Sequence, residues 1–325
     1  MKSKLIVIAI LMINGACGLA EDNNQYARTY TLSLTGSNYT GKKYYLGWGA
    51  ADGSDPKNMH NETKYDIQHT NDIFTNDIGG KYEGTALTGY GKVSTSEIRS
   101  AFETIKSKIT PNDQFVQMSS GHGYSSGLQF GGKYSEIADR LVGLNIREVI
   151  SFTMACYSGG VVKEIEKRRS SWENYKKEGR TFFVMSSSPA SQTSSTGTGN
   201  GEKPGAPMGS SGSAFGHALW KSLAGDADGY VDGVKDGFVD LGEIEAYTKF
   251  KTQQIGGHMP QVAGSYNPSL IMNKVVTSAD KILLSNPDRG TDNLDDYAVA
   301  EMIRQEDAYW STQVHSLPSW EDLGY

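Results

Sequence analysis

Cysteine is scarce: Cys17 and Cys156 are the only two in 325 residues. That excludes a disulfide framework as the source of stability. Histidine is nearly as sparse, with six in the chain, and none falls in the H-E-x-x-H spacing of a zinc hydrolase. No G-x-x-x-x-G-K-[ST] loop is present to cradle a phosphate. Long basic runs are missing and the formal net charge is −6, so neither nucleic acid nor an anionic membrane surface is an expected partner. No apolar run reaches the roughly 20 residues that span a bilayer, and no internal repeat is evident.

What is present begins with an export pattern. Lys2 and Lys4 precede the apolar run Leu5 to Ile13, and Gly18-Leu19-Ala20 fits a peptidase site before the acidic Glu21-Asp22. Residues 1–20 are therefore expected to be a signal peptide, and the mature protein secreted or periplasmic. Cys17 after Gly15-Ala16 also permits lipoprotein processing, which would tie the chain to a membrane, although Asn14 stands where that signal prefers an aliphatic residue. Removal of the signal leaves Cys156 as the one thiol, without an internal partner. An inert buried thiol is the plain alternative to a reactive one.

Residues 21–41 form a polar extension. From there, strands alternate with amphipathic helices. Tyr44 to Gly49 reads as a first core strand, Asp66 to Ile78 as a helix, and Thr85 to Thr88 as a short strand. Ser94 and Glu97 fit a capping box before a helix with Ile98, Phe102, Ile105 and Ile109 on one face. A strand from Asp113 ends at His122, a helix covers 134–142, and a strand from Arg147 ends at Cys156. A helix from Val161 to about Lys177, a strand over 181–185 and a helix over 215–223 complete the series. Such alternation predicts an α/β fold with a mainly parallel sheet and helices on both faces. The domain spans 42–275, its stretch 186–213 is rich in Ser, Gly, Thr and Pro and is expected to be a surface loop, and 276–325 is a polar tail.

Chemistry in a parallel sheet gathers outside the carboxyl ends of its strands. Gly121-His122-Gly123 and Ala155-Cys156-Tyr157-Ser158-Gly159-Gly160 each follow a buried strand. A thiol and an imidazole sharing a cleft make a workable acyl-transfer pair. The glycines leave backbone N–H groups accessible for a developing oxyanion. Thiolate chemistry needs no acidic third member, and the sequence offers no clear one. The remaining histidines, His60, His69, His217, His258 and His315, read as surface or packing residues.

With these blocks, and with Gly47-Trp48-Gly49, Ser186-Ser-Ser-Pro-Ala190, Gly212-Ser-Ala-Phe-Gly-His-Ala-Leu219 and Met259-Pro-Gln-Val-Ala-Gly264, the chain resembles the caspase-like cysteine peptidases. That clan includes caspases, metacaspases, legumain, gingipains and clostripain. The resemblance implies a three-layer α/β/α sandwich with a mainly parallel six-stranded sheet, His122 and Cys156 as catalytic dyad, and an oxyanion hole from the backbone amides of Gly123 and Cys156. It also implies a peptide or protein substrate. Met154-Ala155 before the cysteine departs from the Gln-Ala of caspases, which argues against cleavage after Asp.

A second motif lies at 226–243. Asp236, Gly237, Asp240 and Glu243 match the end of an EF-hand loop, with either Asp232 or the pair Asp226 and Asp228 at its start. Calcium is the expected ligand if these six carboxylates converge, and a solvated acidic turn is the alternative. The whole sequence thus reads as an exported cysteine endopeptidase. An inactive module of the same fold, with calcium-binding or interaction roles, and a legumain-like transpeptidase are the alternatives.

Overall fold

The computed structural model describes residues 41–51, 57–75, 83–90, 93–194 and 212–275. The expected signal with Cys17, nearly all of the 21–41 extension, residues 195–211 and the 276–325 tail lie outside the described residues.

The elements follow the predicted alternation. They begin with β1 (Lys43–Ala51), α1 (Lys57–Thr75), β2 (Glu83–Tyr90), α2 (Thr95–Lys106) and β3 (Gln114–Gly121). Three two-residue strands come next, β4 (Gly123–Tyr124), β5 (Gly127–Leu128) and β6 (Gly132–Lys133), leading into α3 (Tyr134–Val142). Then follow β7 (Glu148–Met154), α4 (Gly159–Glu166), β8 (Thr181–Ser186) and α5 (Ala214–Lys221). The series closes with β9 (Phe238–Asp240), α6 (Leu241–Gly256), β10 (Gln261–Ser265) and β11 (Ile271–Lys274). The main sheet has six strands in the order β10-β8-β7-β3-β1-β2. All neighbours are parallel except the edge strand β10, which runs antiparallel to β8.

The period-two alternation of strand side chains divides the core into two layers. Tyr44, Leu46, Trp48, Phe115, Val149 and Phe182 pack with apolar residues of α2, α3 and α4. Tyr45, Val116, Ile150, Phe152 and Phe183 face the opposite way, onto α1, α5 and α6. The molecule is therefore a three-layer α/β/α sandwich with a mainly parallel sheet, and its central strands are apolar on both faces because both are covered. No helix among the described residues is long and apolar enough to cross a membrane.

Two helices differ from their expected bounds. α1 starts at Lys57 rather than near Asp66 and ends at Thr75. The sequence of its first turns lacks an apolar stripe, and Glu62 and Thr63 there are buried. α4 stops at Glu166 instead of reaching Lys177 and is followed by two 3-10 turns, 169–171 and 176–178. The break lets Trp172 stack on Phe182 at 5.8 Å and donate its indole N–H to the Ile165 carbonyl. The Ser94–Glu97 capping box forms as expected.

α1 crosses β1 so closely that a Cβ at Gly49 would lie 2.2 Å from the backbone oxygen of Thr63. Neither backbone can yield without moving a whole element. Gly49→Ala should destabilise the fold by about 1–3 kcal/mol, read as a lowered midpoint in urea denaturation with an unchanged slope.

Candidate active site

β3 and β7 are adjacent and in register, with Ser120 opposite Met154. His122 and Cys156 each lie two residues beyond that pair, so they leave the sheet at the same level. Neighbouring strands are about 4.8 Å apart, and residues leaving the same rung share one cleft. Both side chains are half-buried. Behind them the segments touch: a Cβ at Gly123 would lie 2.0 Å from the Cys156 carbonyl oxygen and 2.8 Å from the Ala155 Cβ. Only glycine admits that approach. Trp48, Ala50, Leu128 and Phe130 pack beside His122, and the Trp48 indole N–H donates to the Phe130 carbonyl at 3.3 Å.

Gly123-Tyr124-Ser125-Ser126-Gly127 spells the G-x-S-x-G pattern of serine hydrolases. It runs through the β4–β5 hairpin with Ser125 exposed. The pattern requires a sharp strand-to-helix turn, which this segment does not make.

The cysteine turn is held from several sides. Tyr157 takes a left-handed conformation with φ of 57°, which costs a non-glycine residue roughly 1–2 kcal/mol. Its N–H donates to the Gln192 carbonyl at 2.9 Å, and the Gly159 N–H donates to the Ser188 carbonyl at 2.8 Å. The Tyr134 hydroxyl donates to the Cys156 carbonyl at 3.3 Å. Burial, and then the electrostatic effect of Cys156, push the Tyr134 phenol well above its ordinary pKa, so it stays a donor at neutral pH.

Serines do much of the remaining work. The hydroxyls of Ser187 and Ser188 both reach the Ala155 carbonyl, at 3.1 and 3.2 Å, and the Ala155 N–H donates to Ser187 Oγ at 3.2 Å. Ser158 Oγ lies 3.1 Å from Ser187 Oγ and accepts the Ser188 N–H at 3.3 Å. The expectation of a surface loop from 186 is thus overturned over its first part. Ser186 closes β8, and Ser186, Ser187 and Ser188 are fully buried. Serine composition reads as surface, yet here each hydroxyl replaces water with the peptide groups of the cysteine turn.

A buried carboxylate supports the histidine side. Asp66, on α1, accepts the Ser120 hydroxyl at 2.7 Å and the Ser213 N–H at 2.9 Å. It ties the end of β3 to the start of α5, whose N-cap is Ser213. Burial raises its pKa to about 6, more than the hydrogen bonds from Ser120 and Ser213 lower it. His69 and His217 are buried in packing positions beside Trp220. His258 is buried as well, but stands against Ser187 and Ser194, next to the cysteine turn.

The acidic loop is not gathered around one point. Both oxygens of Asp228 accept backbone amides, from Asp236 and Gly237. Both oxygens of Glu243 do so too, from Gly229 and Asp240. Asp240 and Glu243 form the capping box of α6. Asp232 and Asp236 are exposed and accept amides two residues ahead, from Val234 and Phe238, and Asp226 receives the Tyr247 hydroxyl at 3.5 Å. Among the described residues, no three His, Cys, Asp or Glu side chains are grouped to hold a metal ion. Backbone N–H groups bond to these carboxylates, so the capping of turns and of α6 accounts for their arrangement. Burial raises Glu243 to about 7.

No protein-family model matches the chain, and no curated protein matches it. Among solved structures, a caspase-1 from Spodoptera frugiperda is similar with a TM-score of 0.49 and 12% identity, over 72% of this chain and 91% of that chain. A protein from Geobacter sulfurreducens is similar with a TM-score of 0.41 and 14% identity, over 73% of this chain and 100% of that chain. At that distance the chemistry rests on the geometry of this chain alone.

Two outcomes follow from the buried supports. Asp66 has a folded pKa of about 6 against an ordinary 3.8. Its stabilising contribution is complete below the ordinary value and is lost as pH rises through 6. Asp66→Asn keeps an acceptor for Ser213 and removes the charge. Relative to wild type, the variant should gain up to about 3 kcal/mol between pH 4 and pH 7, seen as diverging urea midpoints. Parallel midpoints would refute the assignment. Tyr157→Gly relieves the left-handed strain and should raise stability by about 1 kcal/mol, checked by thermal unfolding.

Proposed function

We propose that this chain is a cysteine endopeptidase, with Cys156 as nucleophile and His122 as its proton carrier. The observation that carries the reading is the level exit of His122 and Cys156 from adjacent parallel strands, with the Gly123 backbone packed against the Cys156 carbonyl. The rigid, strained turn at Cys156 supports it, since strain that the surroundings over-determine clusters at functional sites. Tyr124, which follows His122 on β4, is exposed and offers an apolar surface for an extended peptide.

In this reaction the Cys156 thiolate attacks the scissile carbonyl carbon. The amides of Gly123 and Cys156 receive the developing oxyanion. His122 protonates the leaving amine, the C–N bond breaks, and an acyl thioester remains on Sγ. Water, deprotonated by His122, then hydrolyses the thioester and restores the thiol. No step is routed through a cation. The export signal belongs to the same proposal, placing the enzyme outside the cytoplasm.

The test is cleavage of a fluorogenic peptide library varied at the residue before the scissile bond, with calcium and with chelator. Wild type should cleave, and Cys156→Ala and His122→Ala should each lose at least a hundredfold in kcat/KM. Rates should match in calcium and in chelator, because the acidic loop's carboxylates serve as caps of turns and of α6. Cleavage surviving in Cys156→Ala would remove the reading.

A further inference from the structure

His258 is buried in the turn between α6 and β10, and it spans both ends of the segment that walls the thiol. Its Nδ1 lies 2.6 Å from the Ser187 carbonyl oxygen. A carbonyl only accepts, so Nδ1 carries the proton and Nε2 is left as an acceptor. At 3.4 Å from Nε2 sits the Ser194 hydroxyl, which therefore donates to it. Ser194 in turn places its carbonyl oxygen 3.8 Å from Cys156 Sγ, within reach of the S–H. The same hydroxyl lies 3.9 Å from Met154 Sδ, on the strand that delivers the cysteine. At the other end, Ser187 holds the Ala155 peptide on both its N–H and its carbonyl.

We infer that His258 is a positioning residue of the thiol, acting through Ser194 to fix Sγ and to hold the thiol proton at rest. Its catalytic half rests on the peptidase reading. The resting S–H donates to the Ser194 carbonyl, and the proton passes to His122 only when substrate enters. The titratable groups around the thiol come from three further elements: His122 after β3, Tyr134 on α3, and His258 itself before β10. Burial lowers the His258 pKa, in keeping with the neutral tautomer that the two hydrogen bonds require. A thiol that donates to a carbonyl is held in its neutral form. Losing that contact should leave Sγ more accessible and less well aimed, two effects of opposite sign on reactivity.

The test uses the full chain and His258→Phe, which keeps the ring and removes both hydrogen bonds. Alkylation of Cys156 by iodoacetamide is followed across pH on the Cys156 peptide by mass spectrometry, beside kcat/KM for peptide cleavage. Alkylation at pH 6 should be at least threefold faster than in wild type, while kcat/KM falls at least tenfold. Ser194→Ala should reproduce the alkylation change, and it decides the matter alone if His258→Phe fails to fold. His258→Gln, which restores an acceptor near Nε2, should return the alkylation profile towards wild type. General damage to the fold would expose the half-buried thiol to the same degree in His258→Gln, so alkylation that stays fast in His258→Gln, or superimposable profiles for all variants, overturns the inference. Alkylation needs no peptide, so wild type that fails to cleave any peptide would remove the peptidase reading while leaving the His258–Ser194 link still tested.

Discussion

The parallel pairing of β3 with β7 is the constraint on which the site depends. A register fixed by Gln114 opposite Glu148 at one end and Ser120 opposite Met154 at the other leaves both chains at one level of the sheet. A slip of one residue would turn every side chain of one strand to the opposite layer. A slip of β3 would take Phe115 out of the layer of α2, α3 and α4 and Val116 and Met118 out of the other, and a slip of β7 would do the same to Val149 and to Ile150 and Phe152. The two apolar layers therefore lock the register, and the register aligns His122 with Cys156. Packing free energy spread over the whole core thus holds the relation of two half-buried polar side chains.

Around that alignment the support is polar and fully enclosed. Ser187 and Ser188 give hydroxyl bonds to the peptide of Ala155, Ser158 bonds to Ser187, and Asp66 joins Ser120 to Ser213 on the other side. A net hydrogen bond contributes only about 1 kcal/mol. Their value is in geometry, because a buried hydroxyl with fixed partners has one arrangement while an apolar contact tolerates several. That precision is bought with a carboxylate held in the interior against Ser120, near the end of β3, and with a tyrosine in left-handed backbone next to the thiol.

The sheet was legible in the sequence because its strands are apolar on both faces and its helices carry apolar stripes, as α2 does with Ile98, Phe102 and Ile105. The level exits at His122 and Cys156 could be read from the same pattern. The supports could not. Ser187 and Ser188 sit in a stretch whose composition signals solvent, and their burial is a tertiary fact. Asp66 and His258 lie 54 and 71 residues from the serines they meet, beyond any local periodicity. The first half of α1 was hidden because it buries Glu62 and Thr63 rather than an apolar stripe. The acidic loop admits two readings. Its spacing suggests calcium, but carboxylates two and three residues from a backbone N–H are equally suited to cap turns and helices, and that is where these ones are spent.

The central claim is that Cys156 forms a covalent acyl intermediate. Mixing the protein with a peptide it cleaves, quenching in acid within milliseconds to seconds and mapping the digest by mass spectrometry tests it directly. The account predicts an acyl group on Cys156, removed by neutral hydroxylamine as a thioester is and absent from Cys156→Ala. Peptide cleavage with no adduct on Cys156 at any time point, or cleavage that persists in Cys156→Ala, would contradict it.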